Sequence, residues 1–136
     1  MLKIDKVNKI SNLLVKKLSK VILPDDILSI EFDIIRFKKL LKYNISQKQF
    51  LNFFILVFKK LLKDKGTIII PSFSYSWGYD KKKKIYNIKS TKANTGILPN
   101  YFLNNKDFLR TADPMFSFLI YGKNKKFFQS TSKDSF

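Results

Sequence analysis

Residues 66–77 read GTIIIPSFSYSW. Three consecutive isoleucines suit a strand buried on both faces, because β-branched side chains pack well on a pleat and no polar residue interrupts them. After Pro71 the run changes to serines alternating with aromatics. Two readings of that change stand open. One is an ordinary strand with a polar tail; the other is a strand whose carboxyl end opens onto a ligand site, where hydroxyls orient a bound molecule.

The preceding segments set the context of this strand. Residues 27–32, ILSIEF, have strand character, short and largely apolar. Ser46 and Gln49 have the spacing of a capping box, and residues 47–63 carry Phe50, Phe53, Phe54, Val57, Phe58, Leu61 and Leu62 on one broad helical face, with Gly66 as the stop. A strand joined to the next through a helix of this length predicts a parallel crossover. The expected fold class is therefore α/β, a layered sheet with parallel strands and flanking helices, with the isoleucine strand inside. In such sheets ligands collect beyond the carboxyl ends of the strands. That points to Phe32 with Asp33 and to Ser72, Phe73 and Ser74.

Around this centre, residues 4–22 place Ile4, Val7, Ile10, Leu13, Leu14, Leu18, Val21 and Ile22 at steps of three and four between lysines, an amphipathic helix expected to pack on a sheet. Pro24-Asp25-Asp26 reads as a turn. A helical turn is expected at 37–41, a short strand at 83–86, a polar loop at 90–96 and a helix at 100–103 opened by Pro99. Residues 115–121 read as an apolar strand, 122–125 as a hairpin turn and 126–129 as its partner strand. There is no internal repeat.

The length of 136 residues suits a single domain over 1–136, and 45% hydrophobic residues suffice for a core. Without cysteine or histidine, disulfides and the usual nitrogen and sulfur ligands of zinc are missing, so no metal site is expected. The longest apolar stretch, residues 53–58, is too short to span a bilayer, and a cytoplasmic protein is the expectation. Net charge is +17, but all except two of the 27 basic residues, Arg36 and Arg110, are lysine. Nucleic-acid readers favour the bidentate guanidinium, so nucleic acid is not the expected partner, and the run 81–84 reads as a solvated loop.

Four segments in order resemble the aminoglycoside 3-N-acetyltransferase family: PDDILSIEFDI, GTIIIPSFSYSW, TKANTGILPNYF and RTADPMFSFLIYG, together covering about residues 24–122. The resemblance implies acetyl-CoA as co-substrate and a small-molecule amine, of an amino sugar or aminoglycoside, as acceptor. Carried over by position, Asp33 stands at the second serine of the family's upstream loop and its neighbourhood touches the cofactor arm. Ser72, Thr95, Gly96, Arg110 and Ser117 also fall on cofactor-side positions, and Ser74 and Asp113 on the substrate side. Glu31 and Phe32 stand where the family has His-Ser, Lys92 and Ala93 where it has Pro-Ser, and Asp113 where it has histidine. Asp113 either holds a substrate ammonium or caps the turn before Pro114. Arg110 is either a phosphate contact or a surface ion-pair partner, and Ser117 has the alternative of a plain strand residue.

The family's catalytic histidine lies in a downstream segment that these residues do not include. The expectation is thus an N-terminal portion of a split or truncated acetyltransferase, inert alone, with its catalytic residue unassigned and a second polypeptide completing the fold. At +17 the chain repels polycationic aminoglycosides and attracts an anionic amino sugar. The alternative function is a non-enzymatic basic module binding nucleic acid or an anionic surface, recognised by a steep salt slope.

Overall fold

The computed structural model describes residues 4–31, 33, 35–36, 46–75 and 86–130. The expected helical turn at 37–41, the lysine run 81–84 and most of the expected strand at 83–86 lie outside them. The chain divides into two compact units, one of residues 1–26 and 32–66, the other of 27–31 and 67–136.

In the first unit, α1 (Ile4–Leu18) and α2 (Gln47–Leu62) pack on each other. Phe53, Val57 and Leu61 repeat every four residues along α2, and around them lie Ile10, Leu14, Val15, Leu18, Ile22 and Phe58. The apolar stripe of the first helix thus meets a matching stripe on α2. Burial of each of the three central side chains, Phe53, Val57 and Leu61, contributes about 1.5–3 kcal/mol. Along α2, Phe54 stacks on Phe50 at 6.2 Å and meets Phe58 edge-on at 4.8 Å.

The ends of these helices follow from local chemistry. The Ser46 hydroxyl accepts from the Gln49 amide at 3.2 Å while the Gln49 side chain accepts from the Ser46 amide at 3.0 Å, so the capping box is formed. Helix α1 ends at Leu18, short of residue 22: the Val21 and Ile22 amides both donate to the Leu18 carbonyl in a turn, and Asp26 Oδ2 then takes the Leu23 amide at 2.7 Å. Gly66 plays a different part from a helix stop. The C-cap of α2 is Lys63, with φ 53°. A Cβ on Gly66 would meet Leu62 Cδ2 at 2.6 Å, the Pro24 carbonyl at 2.7 Å and the Asp26 carbonyl at 2.8 Å, so glycine is required there by close packing.

The second unit is built on a four-stranded sheet of order β1-β2-β4-β3, with β1 (Ile27–Ser29), β2 (Thr67–Pro71), β3 (Leu109–Arg110) and β4 (Phe118–Gly122). Two short helices, α3 (Ile97–Phe102) and α4 (Lys125–Ser130), accompany it. β1 and β2 pair in parallel, Leu28 opposite Ile68, as the intervening helix requires. β4 is antiparallel to β2 and to β3, making the sheet mixed. Ile68, Ile70, Leu119 and Ile120 are fully buried at its centre, and Phe102, Phe108 and Tyr121 form a chain of ring contacts at 4.9 and 5.6 Å beside it.

Residues after β4 depart from expectation. They form α4 rather than a hairpin partner, and the topology supplies the reason: both edges of β4 are already occupied, by β2 and by β3, leaving no ladder for a returning strand. The two-residue β3, absent from the sequence reading, occupies that place.

Candidate functional site: the strand ends after Pro71

The directions of the strands bring several distant residues to one end of the sheet. β2 runs toward Ser72; β4, antiparallel to it, begins beside that point after Ser117; β3, antiparallel to β4, ends there at Arg110. The Ser72 amide donates to the Ser117 carbonyl at 2.8 Å and the Thr111 amide to the Phe118 carbonyl at 2.9 Å, extending both ladders into this region.

Arg110 sits at the centre. Only 6% of it is exposed. Its Nε donates to Ser72 Oγ at 3.2 Å and to Ser117 Oγ at 3.1 Å, Nη2 to the Ser72 carbonyl at 2.8 Å, and Nη1 to the carbonyls of Thr91 and Ile88. Ser117 gives its single hydroxyl proton to the Ser72 carbonyl at 2.7 Å, so in the 3.1 Å contact between the two hydroxyls Ser72 is the donor. The Tyr86 ring lies 5.1 Å from the guanidinium carbon, and its hydroxyl donates to the Thr111 carbonyl at 3.1 Å. Among the described residues no carboxylate pairs with this cation. Neutral carbonyls and hydroxyls solvate it instead, and burial lowers the Arg110 pKa, opposed by the charge of Tyr86. Burial likewise raises the Tyr86 pKa, against the lowering effects of Ser117 and Arg110.

The polar loop 91–96 is fastened to the same strand end. The Asn94 amide donates to the Phe73 carbonyl at 2.7 Å and its side chain accepts from the Tyr75 amide at 2.9 Å, so Asn94 imitates a strand neighbour. Thr95 Oγ1 donates to the Pro71 carbonyl at 2.7 Å. Asn100 holds the loop from below, accepting from the Ala93 amide and donating to the carbonyls of Ala93 and Gly96. Gly96 has φ 113° and no atom within 4 Å of where a Cβ would stand, leaving exposed backbone that a ligand can approach closely.

The structure therefore brings Ser72, Ser74, Thr95, Gly96, Arg110, Asp113 and Ser117 into one unit. Ser72, Ser74 and Ser117 are wholly buried, Ser74 Oγ donating to the Pro114 carbonyl, whereas Thr95 and Gly96 are exposed. Asp113 Oδ1 accepts from the amides of Met115 and Phe116 at 2.7 and 2.6 Å, a turn-capping geometry. Asp33 belongs to the helical unit, where its carboxylate accepts from the amides of Ile35 and Arg36, both at 3.0 Å, and pairs with the Arg36 guanidinium at 3.3 Å. Sequence reasoning passed over Tyr86, Asn94 and Asn100; the two asparagines inside and just after a glycine-containing polar loop were the available signal. Among the described residues there is no group of acidic side chains able to hold a metal ion, and no helix long and apolar enough to cross a membrane.

Comparison with known proteins finds solved structures that share the fold and a family model that matches the sequence. Solved structures with the same fold include an aminoglycoside acetyltransferase AAC(3)-IVa mutant in complex with apramycin, at 16% identity and TM-score 0.63, over 85% of this chain and 44% of that one. The YokD protein from Bacillus subtilis aligns at 18% identity and TM-score 0.63, over 85% of this chain and 51% of that one. AAC-IIIb in a binary complex with CoASH aligns at 14% identity and TM-score 0.61, over 88% and 48%. The chain thus spans about half the length of these proteins. No curated protein matches the sequence. A family model described as aminoglycoside 3-N-acetyltransferase matches residues 44–135, which include β2, β3, β4, the loop 91–96 and the Arg110 hub, and the chain belongs to that family.

Proposed function

We propose that the chain contributes the strand-end framework of an acetyl-CoA-dependent N-acetyltransferase that modifies an amine of an amino sugar. The observation that carries this reading is the fastening of the exposed Thr95–Gly96 loop to the end of β2, within the segment that matches the family. Acetyl-CoA would supply the acetyl thioester, whose acetyl group would pass to the amine nitrogen, a C–N bond replacing the C–S bond and the proton lost from nitrogen balancing the release of CoA as its thiol.

The residues present suit the cofactor's arm in a particular way. A pantetheine chain carries amides and needs accessible donors and acceptors. Thr95 and Gly96 offer exposed backbone, and Lys92, also exposed, is placed on the same loop to screen phosphate. Ser72, Ser117 and Arg110 are committed to one another, so their part is to hold the loop rather than to touch the arm. Ser74, by its bond to Pro114, fixes the segment leading from Asp113, which takes the acceptor's ammonium. The proton transfer is assigned to no residue here, since the chain contains no histidine.

Titration calorimetry of the chain with CoA tests the reading. Saturable binding that also slows amide exchange over residues 91–96 is expected. Absence of CoA binding together with salt-sensitive capture of DNA would overturn it in favour of a basic binding module.

A further inference from the structure

Next to the hub, an aromatic cluster remains without a role. The Phe73 ring meets Phe116 at 5.4 Å and Phe118 at 5.3 Å, both edge-on. Phe73 and Phe118 are half-buried, but Phe116 is 52% exposed. A lone exposed phenylalanine is ordinary; this one is buttressed through Phe73 and tied by its own amide to a carboxylate. Asp113 Oδ1 is committed to the Met115 and Phe116 amides, whereas Oδ2 has no partner among the described residues. The turn that Asp113 caps thus carries both the exposed Phe116 ring, braced by Phe73, and a carboxylate oxygen with no partner among the described residues.

We infer that Phe116, braced by Phe73, is a platform for the ring face of an amino sugar whose ammonium group is taken by Asp113 Oδ2. The inference rests on the acetyltransferase reading for the placement of the acceptor. Its chemistry is specific: an amino sugar presents an apolar face of C–H bonds beside a single cation, and an aromatic surface next to a carboxylate complements both. One available oxygen suits one ammonium, and the net charge of +17 disfavours a molecule bearing several.

Nuclear magnetic resonance titrations of the whole chain with glucosamine, N-acetylglucosamine and ethanolamine provide the test. Glucosamine is expected to bind more tightly than the uncharged N-acetylglucosamine and than ethanolamine, which has no ring. Phe116→Ser, at an exposed position, should weaken glucosamine roughly fivefold and leave ethanolamine unchanged, and Phe116→Trp should restore glucosamine. Asp113→Asn, which keeps the turn-capping oxygen, should weaken both amines. Unchanged glucosamine affinity in Phe116→Ser, or no glucosamine binding by the parent chain, overturns the platform. CoA titration of the same samples separates that failure from failure of the acetyltransferase reading, which predicts CoA binding whatever Phe116 does.

Discussion

The helical unit and the strand-end hub hold together by opposite means. In the first, Phe53, Val57 and Leu61 meet Ile10, Leu14 and Leu18 through apolar contacts alone, with a Lys60 Nζ to Ser11 Oγ contact of 3.4 Å at the margin. In the second, a buried guanidinium joins β2, β4 and the 88–91 loop through directional bonds to Ser72, Ser117, Thr91 and Ile88. Apolar contact depends on volume and patterning, so it tolerates exchange among similar shapes. A polar hub depends on the number and direction of donors, and one missing donor leaves several buried acceptors without a partner.

The largest expected effect separates these two kinds of cohesion. Arg110→Met keeps much of the side chain's length and removes every donor, leaving the Ser72, Thr91 and Ile88 carbonyls short of a partner. A loss of about 3 kcal/mol is expected in urea unfolding. Arg110→Lys should recover less than half, since an ammonium cannot reproduce the planar fork. The corresponding exchange in the helical unit, Leu61→Met, should cost less than about 1.5 kcal/mol. Equal losses for Arg110→Lys and Leu61→Met would erase the distinction.

A smaller effect sharpens the comparison from the apolar side, where tolerance has one sharp exception. Gly66→Ala places a methyl against the Pro24 and Asp26 carbonyls, at 2.7 and 2.8 Å, and backbone cannot move aside as a flexible side chain does. A destabilisation of about 1–3 kcal/mol follows, measurable by thermal unfolding. A stabilised Gly66→Ala protein would show that glycine serves there only to end the helix.

This contrast also explains what was legible in the sequence. Helix α2, its capping box and the parallel pairing of β1 with β2 were readable because each is written in local periodicity or spacing. The hub was not. Ser72 and Ser117 are 45 residues apart and look like ordinary strand serines, and the two readings open for Arg110, a phosphate or a surface carboxylate, both looked outward. A guanidinium solvated by its own chain's carbonyls leaves no pattern in sequence. The two residues of β3 are too few to show alternation, and from that omission came the mistaken hairpin after Gly122. The grouping of Thr95, Arg110 and Asp113 in one unit was legible only through the family resemblance, since no spacing rule links them.

The finest distinction lies in the response to alkali. Burial raises the Tyr86 pKa above 10.0, its ordinary value, with the Asp113 charge adding to the rise and Ser117 and Arg110 opposing it. A group whose folded pKa is raised keeps its proton longer in the native state, so the native chain binds more protons than the unfolded one between the two pKa values. Stability is then unaffected below about pH 10 and falls as pH climbs through the folded value. The helical core has no such dependence, because its apolar contacts do not titrate. Tyr86→Phe should lose the Thr111 hydrogen bond, a constant cost of about 1 kcal/mol at neutral pH, and should flatten the decline in urea midpoint between pH 9 and pH 11. A decline of the same slope in both proteins would place the alkaline sensitivity among the other tyrosines and lysines and remove Tyr86 from the hub's energetics.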